Sequence, residues 1–260
     1  MTAPLRRTKI LATLGPATDA PGRIEELLRA GVNVVRLNFS HGTPAQHAAR
    51  VRSVREAAGR LGLEVGVLAD LQGPKIRIER FAAGRAELRA GQRFDLVCRA
   101  DAPPGDADGV GVSYLGLVDD VHAGDTLLLD DGLVALRVEV VEGDIIRTTV
   151  LTDGVLSDRK GLNRLGGGLS LGALTDADRE HIRVAVGLAV DFLAVSFCRS
   201  AEDMHETRRL AAEAGGRPHL VAKIERAEAI ENLREIVDAS DAVMVARGDL
   251  GVEIGDAELP

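Results

Sequence analysis

Apolar and polar positions follow two different textures along this chain. Over residues 9–72, short apolar runs alternate with stretches whose apolar residues recur every three or four positions. KILATLG (9–15) predicts a short buried strand closed by Gly15-Pro16. PGRIEELLRAG (21–31) opens with Pro, places Ile24, Leu27 and Leu28 on one helical face, and stops at Gly31. NVVRLNF (33–39) predicts a second strand, residues 44–60 a helix, and EVGVLADLQ (64–72) a third strand.

After Gly73-Pro74 the period drops to two. From 75 to 160 the runs are short and alternating, as in RFDLVC, TLLLDDGLVALRVEVV and DIIRTTVL, with Asp131-Gly132 and Gly143-Asp144 as turns. This predicts an inserted all-β module, a small barrel or sandwich. The first texture then returns. Thr175 and Asp178 form a capping-box pattern before a helix at about 176–188, and Ser200 and Asp203 repeat it before a helix ending near 214. FLAVSF (192–197), HLVAKIE (219–225) and AVMVARGDL (242–250) predict strands four to six, with AEAIENLREIV (227–237) a helix between the last two.

Strands separated by helices imply a parallel sheet with right-handed crossovers. The predicted fold is therefore α/β: a partial (β/α)8 TIM barrel with about six strands present and an inserted all-β lid. An open doubly wound sheet fits the spacing too, but no G-x-G-x-x-G follows the first strand. The expected domains are residues 1–74 with 161–260, a catalytic domain incomplete at its C-terminal end, and 75–160, the lid.

Composition sharpens this in one respect. The aromatics are five Phe, one Tyr and no Trp, so aliphatic residues must fill a core drawn from a 45% hydrophobic chain. A net charge of −8, no dense Lys/Arg run and few aromatics argue against nucleic acid. No apolar run is long enough to predict a membrane span. The two cysteines, Cys98 and Cys198, show no C-x-x-C spacing, and the chain opens without a signal-peptide pattern, so a cytoplasmic location with reduced thiols is expected. GLSLG (168–172) matches G-x-S-x-G in letters only; glycines precede it, so Ser170 is expected in a loop.

The candidate chemistry lies at the C-terminal strand ends, where barrel sites are built. Arg36, Asn38 and Ser40 alternate and so share a face, with His41 following. Asp70 closes the third strand, with Lys75 and Arg77 beyond it. Lys223 and Glu225 close the fifth, and Asp249 follows the sixth in the small loop RGDLG. Glu225 and Asp249 are too few to cage a cation but suit Mg²⁺ completed by substrate oxygens and water. Arg36, Arg77 and Lys223 suit an anionic substrate, and the RGDLG backbone can offer N–H groups to a carboxylate. A Mg²⁺-dependent enzyme acting on a phosphorylated carboxylic acid follows.

The same residues carry a family resemblance. RTKILATLGPAT, NVVRLNFSHG, LADLQGPKIR, SDRKGLN, VAKIERAEAIENL and VMVARGDLGVEI resemble, in order, the motifs of pyruvate kinase. The resemblance implies phosphoryl transfer from phosphoenolpyruvate to ADP, the last step of glycolysis. It implies Lys223 as stabiliser of the enolate, Arg36 on the transferring phosphoryl group, and Gly248 with Asp249 on the substrate carboxylate. Glu225 and Asp249 would hold Mg²⁺ or Mn²⁺. Arg77 and Lys160, with Asn38 and His41 nearby, would reach the nucleotide phosphates. Asn38, Ser40, Asp70 and the Leu71 carbonyl match the monovalent-cation site. Members that require K⁺ typically carry glutamate where this chain has Lys75, whose ammonium would replace the ion, so K⁺-independence is expected.

The family continues well past residue 260. The resemblance therefore also implies that these 260 residues alone turn over weakly or not at all, and that self-association or a second polypeptide could complete the barrel. Two alternatives accompany this reading: a Mg²⁺-dependent aldolase or lyase acting on pyruvate-type substrates, and a non-catalytic remnant that binds phosphoenolpyruvate and Mg²⁺.

Overall fold

The computed structural model describes residues 6–259; the first five residues and Pro260, which belong to the expected catalytic domain, lie outside the described residues. The chain runs β1 (Leu11–Leu14), α1 (Arg23–Arg29), β2 (Val34–Asn38), α2 (Pro44–Leu61) and β3 (Gly66–Asp70). There follow β4 (Arg85–Leu88), β5 (Arg93–Val97), β6 (Gly109–Gly111), α3 (Leu117–Asp120), β7 (Thr126–Leu129), β8 (Val134–Glu142), β9 (Ile145–Val150), β10 (Gly154–Ser157) and β11 (Leu162–Arg164). The last stretch is α4 (Asp176–Gly187), β12 (Phe192–Val195), α5 (Ala201–Glu213), β13 (His219–Ile224), α6 (Ala227–Glu231), α7 (Leu233–Ala239), β14 (Ala242–Val245) and α8 (Arg247–Ile254).

Residues divide into two compact units, the first formed by 1–73, 173–223 and 233–244, the second by 74–172, 224–232 and 245–260. The strands of the first texture form one six-stranded sheet in the order β1-β2-β3-β12-β13-β14, and the pairs from β1 through β13 are parallel. This is the curled parallel sheet of a partial TIM barrel. Helices lie between successive strands of this sheet in the chain, and three of them begin on the reciprocal caps their sequences encode: Thr43 with Gln46, Thr175 with Asp178, and Ser200 with Asp203. On one face of the sheet Leu68, Ala194 and Val221 pack together with Val34 and Phe192. That apolar layer is the floor on which the polar groups described below stand.

Gly73 ends the first segment of this unit. Its φ is +67°, its N–H donates to the Asp178 carboxylate at 3.1 Å, and a Cβ there would lie 2.7 Å from the Phe197 ring and 3.2 Å from the Ser196 carbonyl oxygen. Only glycine satisfies that backbone and that contact together.

In the second unit, β11-β7-β8-β9-β5-β6 form a six-stranded sheet and β10 pairs with β4. The β5–β6 pair is parallel, whereas β5–β9, β8–β9, β7–β8 and β7–β11 are antiparallel. Phe94, Leu96, Leu127, Leu129, Leu136 and Ile146 are fully buried in its core.

Three predicted elements differ. The first strand is only partly buried: it lies at the end of the sheet order, with Ile10 and Leu11 exposed and Leu14 in the core. The predicted helix 227–237 is broken at Asn232, whose backbone (φ −98°, ψ 16°) leaves the helix and separates α6 from α7; asparagine favours such caps because its side chain competes for backbone hydrogen bonds. The sixth strand stops at Val245, and RGDLG is the first turn of α8 rather than a loop. Residues Asp256–Glu258 form a short 3₁₀ turn. Ser170 lies outside helix and strand, as expected.

Candidate active site

In the first unit, the parallel register brings strand ends level. Thr13 faces Arg36 across β1 and β2, Asn38 faces Asp70 across β2 and β3, and Ala194 faces Asp70 across β3 and β12. Side chains two residues apart share a face. Two residues beyond Val34, Leu68, Ala194 and Val221, the members of the apolar layer, come Arg36, Asp70, Ser196 and Lys223. A polar layer therefore stands on an apolar one, at the C-terminal end of the strands.

Its geometry is tight. Arg36 Nε donates to Asp70 Oδ2 at 2.6 Å, and Arg36 Nη1 donates to Thr13 Oγ1 at 3.0 Å. The Lys223 ammonium donates to Ser196 Oγ at 2.7 Å and lies 3.3 Å from Asp70 Oδ1. Ser196 Oγ donates in turn to the Leu71 carbonyl at 2.7 Å. Asp70 is 1% exposed and Lys223 8%. Two cations share one buried carboxylate on a water-poor floor. Such a group holds its cationic donors in place before an anionic ligand arrives.

The residues matched to a monovalent-cation site also fall in this unit, where Asp70, the Leu71 carbonyl and Asn38 Oδ1 each meet a protein partner. Asp70 meets Arg36 and Lys223, the Leu71 carbonyl meets Ser196, and Asn38 Oδ1 accepts the Ser40 N–H at 3.0 Å. His41 is exposed, and its N–H donates to the Asn38 carbonyl at 3.3 Å.

The second unit holds the other candidates. Asp249 lies in the first turn of α8, where backbone N–H groups including that of Gly248 have no partner within the helix. Its Oδ1 accepts from the Lys75 ammonium at 3.0 Å. Glu225 is 1% exposed. Among the described residues no cluster of three or more His, Cys, Asp or Glu forms a ready cage. Glu225 and Asp249 are each of the oxygen-donor type that a hard divalent cation takes alongside water and substrate oxygens, and Asp249 already accepts a cation. Arg77 Nη1 donates to the Arg159 carbonyl at 2.9 Å, and Lys160 pairs with Asp130 at 2.8 Å.

Three contributors escaped the sequence reading. Ser196 links Lys223 to the Leu71 carbonyl, and Thr13 holds Arg36. In the second unit Glu253, 2% exposed, accepts the Ala227 N–H at 2.9 Å, and burial pushes its carboxyl pKa up. Ser196 could have been found by phase alone, since it lies two residues past Ala194 on a strand whose neighbours end in polar groups. Cys98 and Cys198 are buried, and burial raises the Cys98 thiol to about 11, away from nucleophilic use. No described helix is long and apolar enough to cross a membrane.

Comparison with known proteins bears on the whole chain. The family described as "Pyruvate kinase, barrel domain" matches residues 5–260. Pyruvate kinase II of Salmonella typhimurium is 52% identical across 100% of this chain and 55% of its own length. The pyruvate kinase of Haemophilus influenzae is 50% identical over the same shares, and that of Buchnera aphidicola subsp. Acyrthosiphon pisum 49% identical over 98% and 54%. The chain thus spans about half the length of the curated relatives it matches. A match that runs from residue 5 to the end, over strand-end residues arranged as above, places the chain in the pyruvate kinase family.

Proposed function

We propose that this chain carries the catalytic strands and lid of a cytoplasmic enzyme that transfers the phosphoryl group of phosphoenolpyruvate to ADP, giving pyruvate and ATP. The observation that carries the reading is the Arg36–Asp70–Lys223–Ser196 layer, a preorganised group in which two cations are held on one buried carboxylate. In this reading residues 1–74 and 161–260 form the catalytic domain and 75–160 the inserted lid.

The Arg36 guanidinium, braced by Asp70 and Thr13, contacts the transferring phosphoryl group. Lys223, oriented by Ser196, places its ammonium where negative charge grows on the enolate oxygen as the phosphorus–oxygen bond breaks. The N–H groups of Gly248 and Asp249 receive the substrate carboxylate at the start of α8. Arg77 and Lys160 take the nucleotide phosphates, and Asn38 and His41 are assigned to the same ligand. The enolate then gains a proton at carbon to become pyruvate. Glu225 and Asp249 would hold Mg²⁺ or Mn²⁺, which when bound supplies charge neutralisation on phosphoryl and carboxylate oxygens. Asn38, Ser40, Asp70 and the Leu71 carbonyl form the monovalent-cation site, and the Lys75 ammonium replaces K⁺ in its role. The 260-residue chain by itself turns over slowly, because β1 and β14 end the sheet order without further strands among the described residues.

The test is a coupled assay of the purified chain with phosphoenolpyruvate, ADP and Mg²⁺, with and without K⁺. Pyruvate and ATP should appear slowly in equal amounts, K⁺ should change the rate by less than about twofold, and Lys223→Met should lower it by about a hundredfold or more. Pyruvate release without ATP, or a rate indifferent to Lys223→Met, would overturn the assignment. A large gain on adding K⁺ would remove the role given to Lys75. Metal-dependent binding of phosphoenolpyruvate with no product would leave the chain as a binding module.

A further inference from the structure

We propose that Lys75 is the resting occupant of the Asp249 carboxylate and thereby sets how tightly the chain takes up divalent metal. The inference rests on the reading of Asp249 as a metal ligand.

The ion pair is built rather than incidental. Lys75 Nζ lies 3.0 Å from Asp249 Oδ1, and the two side chains are 27% and 31% exposed, so water only partly screens them. The lysine is held from below. Residues 76–78 pair with 160–162 through the Leu162 N–H to Ile76 carbonyl bond at 3.0 Å and the Ile78 N–H to Lys160 carbonyl bond at 2.9 Å. The Lys75 stem lies across Gly161, its Cε 3.2 Å from where a Cβ on that residue would stand. Glycine at 161 thus leaves the gap along which the lysine reaches Asp249. The carboxylate is fixed on its own side by the first turn of α8.

A divalent cation binding Asp249 meets this ammonium. It must either displace the Nζ–H donor or sit close to a like charge, and both weaken metal uptake. Uptake therefore has a coupled consequence: the Lys75 ammonium is released as metal arrives. Lys75 acts here as a positioning residue for the metal site, and its effect is read in metal affinity rather than in turnover.

Mn²⁺ titrations of the 260-residue chain, followed by the electron paramagnetic resonance signal of free Mn²⁺, test the proposal without substrate. Lys75→Met should bind Mn²⁺ about two- to fivefold more tightly than the wild type, the order expected for losing one partly screened ion pair. Lys75→Arg, which keeps the charge, should stay within about twofold. Gly161→Ala crowds the stem by a few tenths of an ångström while keeping the lysine, so it should shift affinity in the same direction as Lys75→Met but by less. It also serves as the second probe if Lys75→Met fails to fold by circular dichroism. Asp249→Asn separates the two layers of the argument. If it abolishes binding while Lys75→Met and Gly161→Ala bind no more tightly than wild type, the latch is wrong and the metal-ligand reading stands. If Asp249→Asn binds Mn²⁺ like the wild type, or if no form binds, the metal-ligand reading falls and the latch with it.

Discussion

Glu253 illustrates how a single buried group ties local geometry to solution behaviour. Its carboxyl accepts the Ala227 N–H, and Asn163 Nδ2 approaches the other oxygen at 3.4 Å. Burial raises its pKa above 4.5, with the Ala227 hydrogen bond opposing. A raised folded pKa means that the folded state binds the proton more tightly than the unfolded chain. The contribution to stability is then fully present below the unfolded pKa and is lost as pH rises through the folded one. Glu253→Gln keeps the acceptor and removes the ionisation. Urea unfolding at about pH 4 and about pH 7.5 should show the wild type losing stability relative to the variant as pH rises; a constant difference would contradict the burial argument. Legibility at this scale follows phase and charge. Arg36, Asn38 and Asp70 stood out because charged or amide groups interrupt apolar strands. Ser196 did not, because a single hydroxyl after FLAV has many innocent explanations, and Glu253 lies on a helix whose glycines hid it.

Helix caps were among the most readable elements. Thr175 shows why: its Oγ1 accepts the Asp178 N–H at 3.1 Å, while the Asp178 carboxylate accepts the Thr175 N–H at 3.0 Å. The pattern is local, so a stretch of four residues suffices to encode it. Thr175→Ala should cost about 1 kcal/mol in denaturant unfolding. Asp178→Ala should cost more, since that carboxylate, fully buried, also holds the Gly73 N–H. Two elements resisted the same logic. AEAIENLREIV keeps a helical period across Asn232 even though the chain bends there. RGDLG reads as a loop because of its glycines, yet Gly248 and Gly251 both lie within α8. Glycine lowers helix propensity by about 1 kcal/mol, a cost that the surrounding hydrogen bonds offset, so composition alone misjudges the segment.

Across the molecule, strand order in the parallel sheet was legible because each crossover carries its own helix, and right-handed connections leave little choice. The β module was legible only as all-β. Its pairing depends on contacts distant in sequence, and neither the parallel β5–β6 pair nor the grouping of 224–232 and 245–260 with it has a local signature. The sheet order begins at β1 and ends at β14, and apolar side chains remain exposed there: Leu11 at 42% and Val243 at 45%. Strand ends of this kind template association. Sedimentation velocity of the 260-residue chain should show weight-average mass rising with concentration, and Leu11→Lys with Val243→Lys should suppress the rise. A chain that stays monomeric at every concentration would refute the idea.

The contact of Gly73 with Phe197 has a consequence for how this protein can vary over evolutionary time. Phe197 itself holds a positive φ of 56°, unusual for a bulky residue. Shrinking the ring would open room for a side chain at 73, but the Ser196 carbonyl oxygen and the left-handed backbone of Gly73 would still oppose it. No single compensating substitution restores the fit. Position 73 is therefore closed to gradual drift, and change there must arrive together with a rebuilt turn after β3 or not at all.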